Sequence, residues 1–499
     1  MQNTQRSAKT HICFQFQPLI EECLADTETP VSLFLKVGKP YSCLLESIEG
    51  EERMARFSYI GLKPIALFKA WLCGKEQLVI FDKKFAALAH LLEPQAKAPE
   101  KLERLLQAFS NAAPPQPSRM TTSGAFGYIS YDAAAFVENL PVPQKDHALN
   151  LPDLFFCFYD TLIVFDNITR KVYLVTNYLA EDDRAEAEQK LYMLKSAIEE
   201  PLNRQKVKLS TEVPEAICAN ITREDYLKNV QRAKDYIFAG DVFQVQLSQR
   251  LERRLHAEPF DVYRALRTIN PSPYLYYFDL DDVKIIGSSP ELLVSVSNER
   301  GKHFVDTRPI AGTRPRGQTP EEDYALAQEL LADEKERAEH LMLIDLSRND
   351  VGRIAKIGSV QVTEQMVIER YSHVMHMVSH VRGELQDNLT ALDAFWSCFP
   401  AGTLTGAPKI RAMEIIYELE QEKRGLYGGA VGYIDFSGEL KMAIAIRTML
   451  THESEHGRRI YFQAAAGIVA DSQPEREYQE TLNKMYAGLR AVDLLIPQR

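Results

Sequence analysis

The chain has 499 residues, of which 45% are apolar and 25% charged, and its formal net charge is −11. This length is typical of about two to four domains, and the composition is that of a soluble globular protein with a large core. The acidic balance argues against broad nucleic-acid binding, which needs basic stripes.

The cysteines and the apolar runs indicate the compartment. The seven cysteines are scattered, with neither zinc-type spacing nor the look of a disulfide framework. Buried, reduced cysteines are therefore expected. No apolar segment suited to secretion follows Met1, and no run approaches the roughly 18 apolar residues of a membrane span. We expect a cytoplasmic protein that does not enter a membrane.

The first half of the chain predicts a mixed α+β region. Its predicted elements are strands at 31–37 and 42–45, a helix at 100–108, and a hairpin over 155–175 that turns at Asp166-Asn167. A polar, nonperiodic stretch at 199–219 marks a boundary, which divides the chain into residues 1–215 and 216–499. Beyond it, Thr222 followed by acidic residues predicts the capped start of a helix that ends near Gly240.

Two predicted strands of the second half have unusual faces. The alternation from Leu440 to Leu450 predicts one strand with Lys441 and Arg447 on the same face. The strand at 460–469 is rich in Ala before Gly467, so its face leaves open space. An Arg that projects into such space is suited to bind an anion.

The segment from Asp306 to Asp350 combines three chemical signals. A loop at 308–317 is too rich in Gly, Pro and Arg to be a helix or a central strand. A helix then carries Glu336 and Glu339 on one face. Such a face is most often simply solvated, but this helix runs into an apolar segment, and a second acidic helix offers Glu480. Carboxylates from separate helices suit Mg²⁺.

Other candidate residues stay ambiguous on the residues alone. Glu291 ends an apolar strand in Ser-Pro-Glu and could be a positioned acid or a turn residue. The glycine turn at 402–409 precedes a helix and could meet an anion, although a plain capping turn is the simpler interpretation. His376 lacks the companions of a zinc protease.

Together these segments resemble one family, the chorismate-utilising enzymes, and within it the anthranilate synthase large-subunit branch. The resemblance covers essentially the whole chain and is strongest from Thr222 onward. The motifs that carry it, in chain order, are Gly287–Glu291, Pro309–Gly317, Glu339–Met342, Asp345–Asp350, Gly402–Lys409, Tyr427–Tyr433 and Ile446–Thr448.

The resemblance implies a fold and a reaction. The fold is α+β, with two large antiparallel sheets packed as a sandwich and helices outside, and residues 1–215 completing the sandwich as a regulatory region. The reaction is that of a carbon–oxygen lyase: chorismate and ammonia give anthranilate and pyruvate, the first step of tryptophan biosynthesis. The alternatives are an aminodeoxyisochorismate or aminodeoxychorismate synthase, or a non-catalytic tryptophan-sensing homologue.

The resemblance also implies roles for individual residues. Mg²⁺ would be bound by Glu339 and Glu480, with Glu336 nearby, and would chelate the ring carboxylate of chorismate. Glu291 would protonate the departing 4-hydroxyl, and His376 would assist elimination of pyruvate. The residues implied to line the substrate site are Gly312, Thr313, Thr403, Tyr427, Arg447, Gly467 and Lys484, with Tyr427 and Arg447 on the enolpyruvyl carboxylate.

Two positions favour ammonia as the direct nucleophile. Gln244 stands where relatives that add water have a Lys base, and an amide cannot activate water. Ala311 stands where aminodeoxychorismate synthases commonly carry a nucleophilic Lys. The chain departs from the family pattern at Ala465, where Gly is frequent, and at Leu275, where Met is usual.

The resemblance further implies regulation and a partner. Feedback inhibition by L-tryptophan is expected at a site formed by Glu46, Ser47, Pro273, Tyr274 and Leu275. None of the cysteines lies in the Gly-x-Cys-x-Gly setting of an amidotransferase nucleophile. A separate glutamine amidotransferase subunit, in a heterotetramer, is therefore expected to supply the ammonia.

Overall fold

The computed structural model describes residues 12–24, 26–47, 56–112, 120–143, 149–202, 216–371, 374–420, 422–455 and 457–495. The strands, in chain order, are β1 Phe14–Leu24, β2 Cys43–Glu46, β3 Phe57–Gly61, β4 Ala66–Ala70, β5 Glu76–Ile80, β6 Phe109–Asn111, β7 Gly124–Ile129, β8 Leu154–Tyr159, β9 Thr161–Asp166, β10 Lys171–Tyr178, β11 Cys218–Ala219, β12 Gln244–Arg254, β13 Tyr274–Leu280, β14 Val283–Ser289, β15 Leu292–Glu299, β16 Lys302–Thr307, β17 Ile310–Pro315, β18 Gln361–Arg370, β19 Val374–Glu384, β20 Gly406–Ala407, β21 Ala430–Asp435, β22 Leu440–Ile444, β23 Thr448–His452 and β24 Arg459–Ile468.

The α-helices are α1 Pro30–Val37, α2 Ala98–Gln107, α3 Arg184–Glu199, α4 Arg223–Phe238, α5 Pro259–Ile269, α6 Pro320–Ala332, α7 Glu334–Gly352, α8 Ala391–Cys398, α9 Gly402–Thr405, α10 Lys409–Glu420 and α11 Pro474–Asp493. Short 3-10 helices occupy Lys83–Leu91, Tyr131–Phe136 and Glu181–Asp183. None of the helices in the described ranges is both long and apolar enough to cross a membrane.

Within the described residues the strands form two sheets, of thirteen and eleven strands. Sheet one has the order β11-β12-β24-β23-β14-β13-β2-β3-β9-β10-β1-β6, with β20 beside β12. Sheet two has the order β17-β19-β16-β15-β22-β21-β7-β8-β4-β5, with β18 beside β19. Neighbours pair antiparallel, except β1 and β6, which run parallel. Each sheet therefore takes strands from both halves of the sequence.

The two sheets pack face to face through aromatic side chains. Tyr59 of sheet one lies 6.3 Å from the ring of Phe126 and 5.5 Å from that of Tyr433, both in sheet two. The outer face of sheet one packs on α1, α3, α5 and α11, with α4 and α10 against β12 near its edge, and the outer face of sheet two packs on α2, α7 and α8. The predicted sandwich with helices outside is thereby confirmed.

The division at residue 215 has no counterpart in the sheets, since strands before and after it share both of them. Most of the polar boundary stretch, residues 203–215, lies outside the described residues. The regulatory role of residues 1–215 stays a prediction.

Several predicted elements are confirmed by the structure. Helix α2 matches the helix expected at 100–108, and α4 begins after Thr222, whose side chain accepts a hydrogen bond from Asp225 N. The loop expected at 308–317 is wrong for residues 310–315, which form β17; this strand lies at the edge of sheet two, where Pro is tolerated.

The strand predicted at 31–37 is wrong, because these residues form α1. Thr29 and Ser32 make reciprocal hydrogen bonds in a capping box, and Pro30 occupies the first turn. Leu33, Phe34 and Val37 then share one buried face at helical spacing.

The strand predicted at 440–450 is also wrong, because it is two strands in different sheets. Strand β22 ends at Ile444 in sheet two, and β23 starts at Thr448 in sheet one. Arg447 bridges them with a φ of 49°, a left-handed conformation that non-glycine residues rarely adopt. The hairpin at 155–175 is confirmed only for β9 and β10, since β8 belongs to sheet two.

Candidate active site

The central pocket, a cavity of about 240 Å³, lies where ends of strands from both sheets meet α7, α9 and α11. Ten of the thirteen residues predicted for catalysis, substrate or metal line it: Gln244, Glu291, Gly312, Thr313, Glu339, His376, Thr403, Tyr427, Arg447 and Lys484. They come from segments up to 240 residues apart (Gln244 to Lys484). Ala464 and Ala465 of β24 also line the pocket and leave it the open space expected from their small side chains.

The other three predicted residues lie next to this lining. A Cβ on Gly467 would approach Gln244 Nε2 to 2.7 Å, so the glycine leaves room for that amide. Glu336 lies against Gly312, since its Oε2 is 3.2 Å from the position of a Cβ there. Glu480 Oε1 forms an ion pair with Lys484 Nζ at 2.7 Å.

Glu291 is a buried carboxyl group on the pocket wall, 8% exposed. Burial raises its pKa to about 8, against the weaker opposing effects of Thr403 and Lys484. Thr403 Oγ1 donates a hydrogen bond to Glu291 Oε1 at 3.1 Å. The group is therefore mostly protonated at neutral pH, which is the state of a general acid.

His376 faces the same pocket from β19. Burial lowers its pKa to about 4, so the ring is neutral at pH 7. Its Nδ1 lies 3.1 Å from Gly312 O and 3.0 Å from Thr313 Oγ1. Because a carbonyl oxygen only accepts, Nδ1 carries the hydrogen, and Nε2 keeps a lone pair with which to take a proton.

Arg447 is a half-buried cation without a carboxylate partner among the described residues. Burial lowers its pKa, and its Nη1 lies 3.5 Å from Asn270 Oδ1. Buried charges are normally paired, because desolvation is costly. A guanidinium held in this way in the pocket wall is suited to bind a carboxylate.

The acidic residues of α7 and α11 form a region of negative charge at the pocket. Burial and the neighbouring Glu336 raise the pKa of Glu339, and a hydrogen bond from Gln244 opposes that rise. Burial likewise raises the pKa of Glu477, with Glu480 as a neighbour. Lys335 and Lys484 act on both glutamates, which places the two helix faces close together.

This charge arrangement is compatible with a divalent cation. Within the described ranges, no three His, Cys, Asp or Glu side chains gather closely enough to hold a metal by themselves. Mg²⁺ is commonly bound by one or two carboxylates together with water and substrate oxygens. Mutually repelling carboxylates at the pocket therefore fit such an ion.

Arg424 is a site residue that the sequence analysis missed. It is 1% exposed and donates to Leu404 O at 2.7 Å and to Gln246 O at 2.8 Å, both from residues that line the pocket. Glu420 accepts two further bonds from it, at 2.9 and 2.7 Å. Its position just before the Tyr427–Tyr433 motif was the available signal.

The inter-sheet pocket, a second cavity of about 700 Å³, lies between the two sheets. All five residues predicted for the inhibitor line it: Glu46, Ser47, Pro273, Tyr274 and Leu275. Ser47 Oγ donates to Pro273 O at 2.8 Å, and Leu275 pairs with Glu46 in the sheet. The two segments predicted to form this site, Glu46–Ser47 and Pro273–Leu275, are therefore in contact.

Within this pocket, Glu46 is already neutralised by the protein. Arg267 donates to its carboxylate from Nε at 3.0 Å and from Nη2 at 3.1 Å, and Tyr263 donates to it as well. Lys441 lines the opposite wall 5.5 Å from the ring of Tyr274, and burial lowers the pKa of this lysine to about 8.

Comparison with known proteins agrees with this fold. The profile of the family described as chorismate binding enzyme matches residues 44–490. The chain is 45% identical to anthranilate synthase component 1 of Acetivibrio thermocellus, over 95% of each chain. It is 43% identical to anthranilate synthase component 1 of Aquifex aeolicus, over 96% of this chain and 94% of the relative.

A solved structure gives the same result. The crystal structure of anthranilate synthase component I from Streptococcus pneumoniae TIGR4 superposes with a TM-score of 0.73 at 37% identity, covering 93% of this chain and 98% of that one. The chain belongs to the family of chorismate-binding enzymes. The predicted family and the predicted class, an enzyme of the anthranilate synthase kind, are confirmed.

Proposed function

We propose that the chain catalyses the conversion of chorismate and ammonia to anthranilate and pyruvate, the first step of tryptophan biosynthesis. The observation that carries this proposal is the pairing of a protonated carboxyl group, Glu291, with a neutral imidazole, His376, around one pocket. The reaction needs one acid and one base, and the two groups have opposite protonation states at the same pH.

The substrate carboxylates set the orientation in the pocket. Chorismate is a dicarboxylate, and Arg447 is a half-buried cation without a carboxylate partner among the residues described. Arg447 and Tyr427 hold the enolpyruvyl carboxylate, which leaves the ring between Glu291 and His376. The open space beside the small side chain of Ala465 accommodates the ring.

In the first step, ammonia forms a bond to ring carbon C2, both ring double bonds shift by one position, and the C4–O bond breaks. The added nitrogen then loses one proton and becomes a neutral amine. Glu291 gives its proton to the departing oxygen, so that water leaves instead of hydroxide; general acid catalysis of this kind contributes roughly 10²–10⁴-fold. In the second step, His376 Nε2 takes the proton from C2, and the bond between C3 and the ether oxygen breaks as the ring becomes aromatic. The enolpyruvate that leaves takes up one proton on its CH2 carbon and becomes pyruvate.

Mg²⁺ belongs to this proposal as the cofactor. Glu339 and Glu480 would hold it, with Glu336 beside them, and the bound ion would supply positive charge to the ring carboxylate. The support is the concentration of carboxylates on α7 and α11, where the pKa of Glu339 is raised by burial and by Glu336.

Ammonia is proposed to come from a separate glutamine amidotransferase subunit in a heterotetramer. The central pocket has Gln244 and Ala311 at the two positions where relatives carry reactive lysines, so neither can replace ammonia as nucleophile. A cytoplasmic location completes the proposal, supported by seven cysteines that are all free thiols.

L-Tryptophan is proposed as the feedback inhibitor at the inter-sheet pocket. The volume of about 700 Å³ is ample for an indole ring, and the lining combines aromatic and charged side chains. Strands β13 and β14 connect this pocket to Glu291, since Tyr274 pairs with Ser289 two residues before the acid.

The test is to incubate the purified chain with chorismate, Mg²⁺ and ammonium, and to measure anthranilate fluorescence and pyruvate. We expect equal amounts of both products, suppression by EDTA, and no reaction when glutamine replaces ammonium. Chorismate consumed without pyruvate would instead indicate an aminodeoxyisochorismate or aminodeoxychorismate synthase. No consumption would favour a non-catalytic tryptophan-sensing protein.

A further inference from the structure

A third, smaller cavity lies behind Glu291. This rear cavity has a volume of about 40 Å³ and shares Glu291, Leu343 and Thr403 with the central pocket. Its other walls include Thr307 and Asp350. Glu291 therefore stands between two spaces, one for the substrate and one behind it.

Thr307, at the end of β16, indicates what the rear cavity contains. The residue is 5% exposed, and its Oγ1 has no hydrogen-bond partner among the described residues. Buried hydroxyl groups are nearly always hydrogen-bonded, so an orphan of this kind points to an ordered water. The cavity exceeds the roughly 10–15 Å³ that one water needs, and the hydroxyl and carboxyl groups on its walls supply polar partners.

The proposed reaction creates a need for a proton at this place. Each turnover removes one proton from Glu291 with the departing oxygen, and the amine formed from ammonia releases one surplus proton, so one proton must return to Glu291 per cycle. Thr403 donates to Oε1 of Glu291. The returning proton is therefore carried by Oε2.

The far side of the rear cavity is polar and charged. Asp350 forms an ion pair with Lys409 at 2.9 Å. The other ionisable neighbours of Asp350 are Arg353 and Cys398. Burial raises the pKa of Asp350, and Lys409 opposes that rise. Around Glu291, the charged neighbour is Lys484. The cavity thus extends from the acid to a buried ion pair, with Thr307 on its wall.

We infer that the rear cavity holds a water bound by Thr307, and that this water returns the proton to Glu291 after each turnover. Thr307 then acts through the water and is a positioning residue. This inference rests on the proposed function, since it assigns the path by which the general acid of that reaction is reset.

The test compares first and later turnovers of Thr307→Val, which removes the hydroxyl and keeps the volume. With enzyme in excess, Glu291 starts protonated, so we expect the single-turnover rate of water loss to stay within about twofold of wild type. With substrate in excess, we expect kcat to fall about tenfold after a burst of one turnover, with KM for chorismate unchanged. Thr307→Ser, which keeps the hydroxyl, should recover most of the loss.

Thr176→Val is the matched control, because Thr176 is a buried threonine of β10 outside both cavities. It should show neither burst nor loss of kcat. Equal slowing of first and later turnovers by Thr307→Val, or no slowing of either, would overturn the inference. So would a high-resolution crystal structure without a water beside Thr307 Oγ1. If the wild-type chain makes no anthranilate, the proposed function is wrong. The crystal structure then still tests separately whether the rear cavity holds a water.

Discussion

Glu291→Gln isolates the acid from the rest of the site. The amide has the same size and can still accept the hydrogen bond from Thr403, but it cannot transfer a proton to the departing oxygen. With a pKa of about 8, roughly ten wild-type molecules are protonated for each ionised one at pH 7. Removal of this acid should lower kcat by about 10²–10⁴-fold. KM should change little, because Arg447 is intact.

The assay follows anthranilate fluorescence and pyruvate from pH 6 to 10 with free ammonia held constant, because ammonium itself ionises in this range. Wild-type kcat should fall above about pH 8 as Glu291 ionises. The residual kcat of Glu291→Gln should not show this decrease. Glu103→Gln is the control: burial raises the pKa of Glu103 as well, but this residue lies on α2, outside the central pocket.

Glu291→Gln, which lowers activity, should raise the stability of the protein at alkaline pH. The folded-state pKa of Glu291 lies above the ordinary 4.5, so its contribution to stability is fully present below that value and is lost as the pH rises through about 8. At pH 9, Glu291→Gln should therefore have a higher Tm than wild type. The reasoning is refuted if the variant keeps more than a tenth of wild-type kcat, or if kcat of both proteins falls in the same way above about pH 8.

Four further substitutions test the other assignments. His376→Gln should leave chorismate amination but lower pyruvate release at least about 100-fold, so an aminated intermediate accumulates in chromatography; parallel loss of both steps contradicts its role as base. Glu480→Gln should raise the Mg²⁺ concentration for half-maximal activity about tenfold or more, and an unchanged requirement removes it from the metal site. Ser47→Arg should abolish tryptophan inhibition while ammonia-dependent activity persists, whereas unchanged inhibition would show that the site is elsewhere. Arg424→Lys should lose hydrogen bonds to Leu404 O and Gln246 O and lower both the Tm and kcat/KM, at about 1–3 kcal/mol for each carbonyl left unpaired. Wild-type stability would show that these bonds do not support the pocket wall.

Capping residues and apolar runs in the sequence predicted those helices and strands whose ends depend on residues within the element itself. Helix α4 could be predicted from Thr222 and its acidic first turn, and β24 from its apolar, Ala-rich run before Gly467. The signals for α1 were present but weaker than its strand-like run of Val, Leu and Phe, and the capping box at Thr29 decided the outcome.

Long-range packing decided the elements that the local pattern misrepresents. The alternation from 440 to 450 is continuous in sequence, yet the chain passes from one sheet to the other at Ala445–Arg447. Alternation reports only which side chains share a face, and it is the same for one strand as for two strands in facing sheets. That crossing is what brings Arg447 to the central pocket.

The sequence alone determined the family, the reaction class and most of the residues at the pocket, because those depend on residue types in a particular order. Only the tertiary structure decided what these residues can do. Glu291, Thr403 and His376 are distant in sequence, and burial among other segments raises the pKa of Glu291 and lowers that of His376. The rear cavity and the orphan hydroxyl of Thr307 likewise exist only through packing, since no local pattern records the space left between elements.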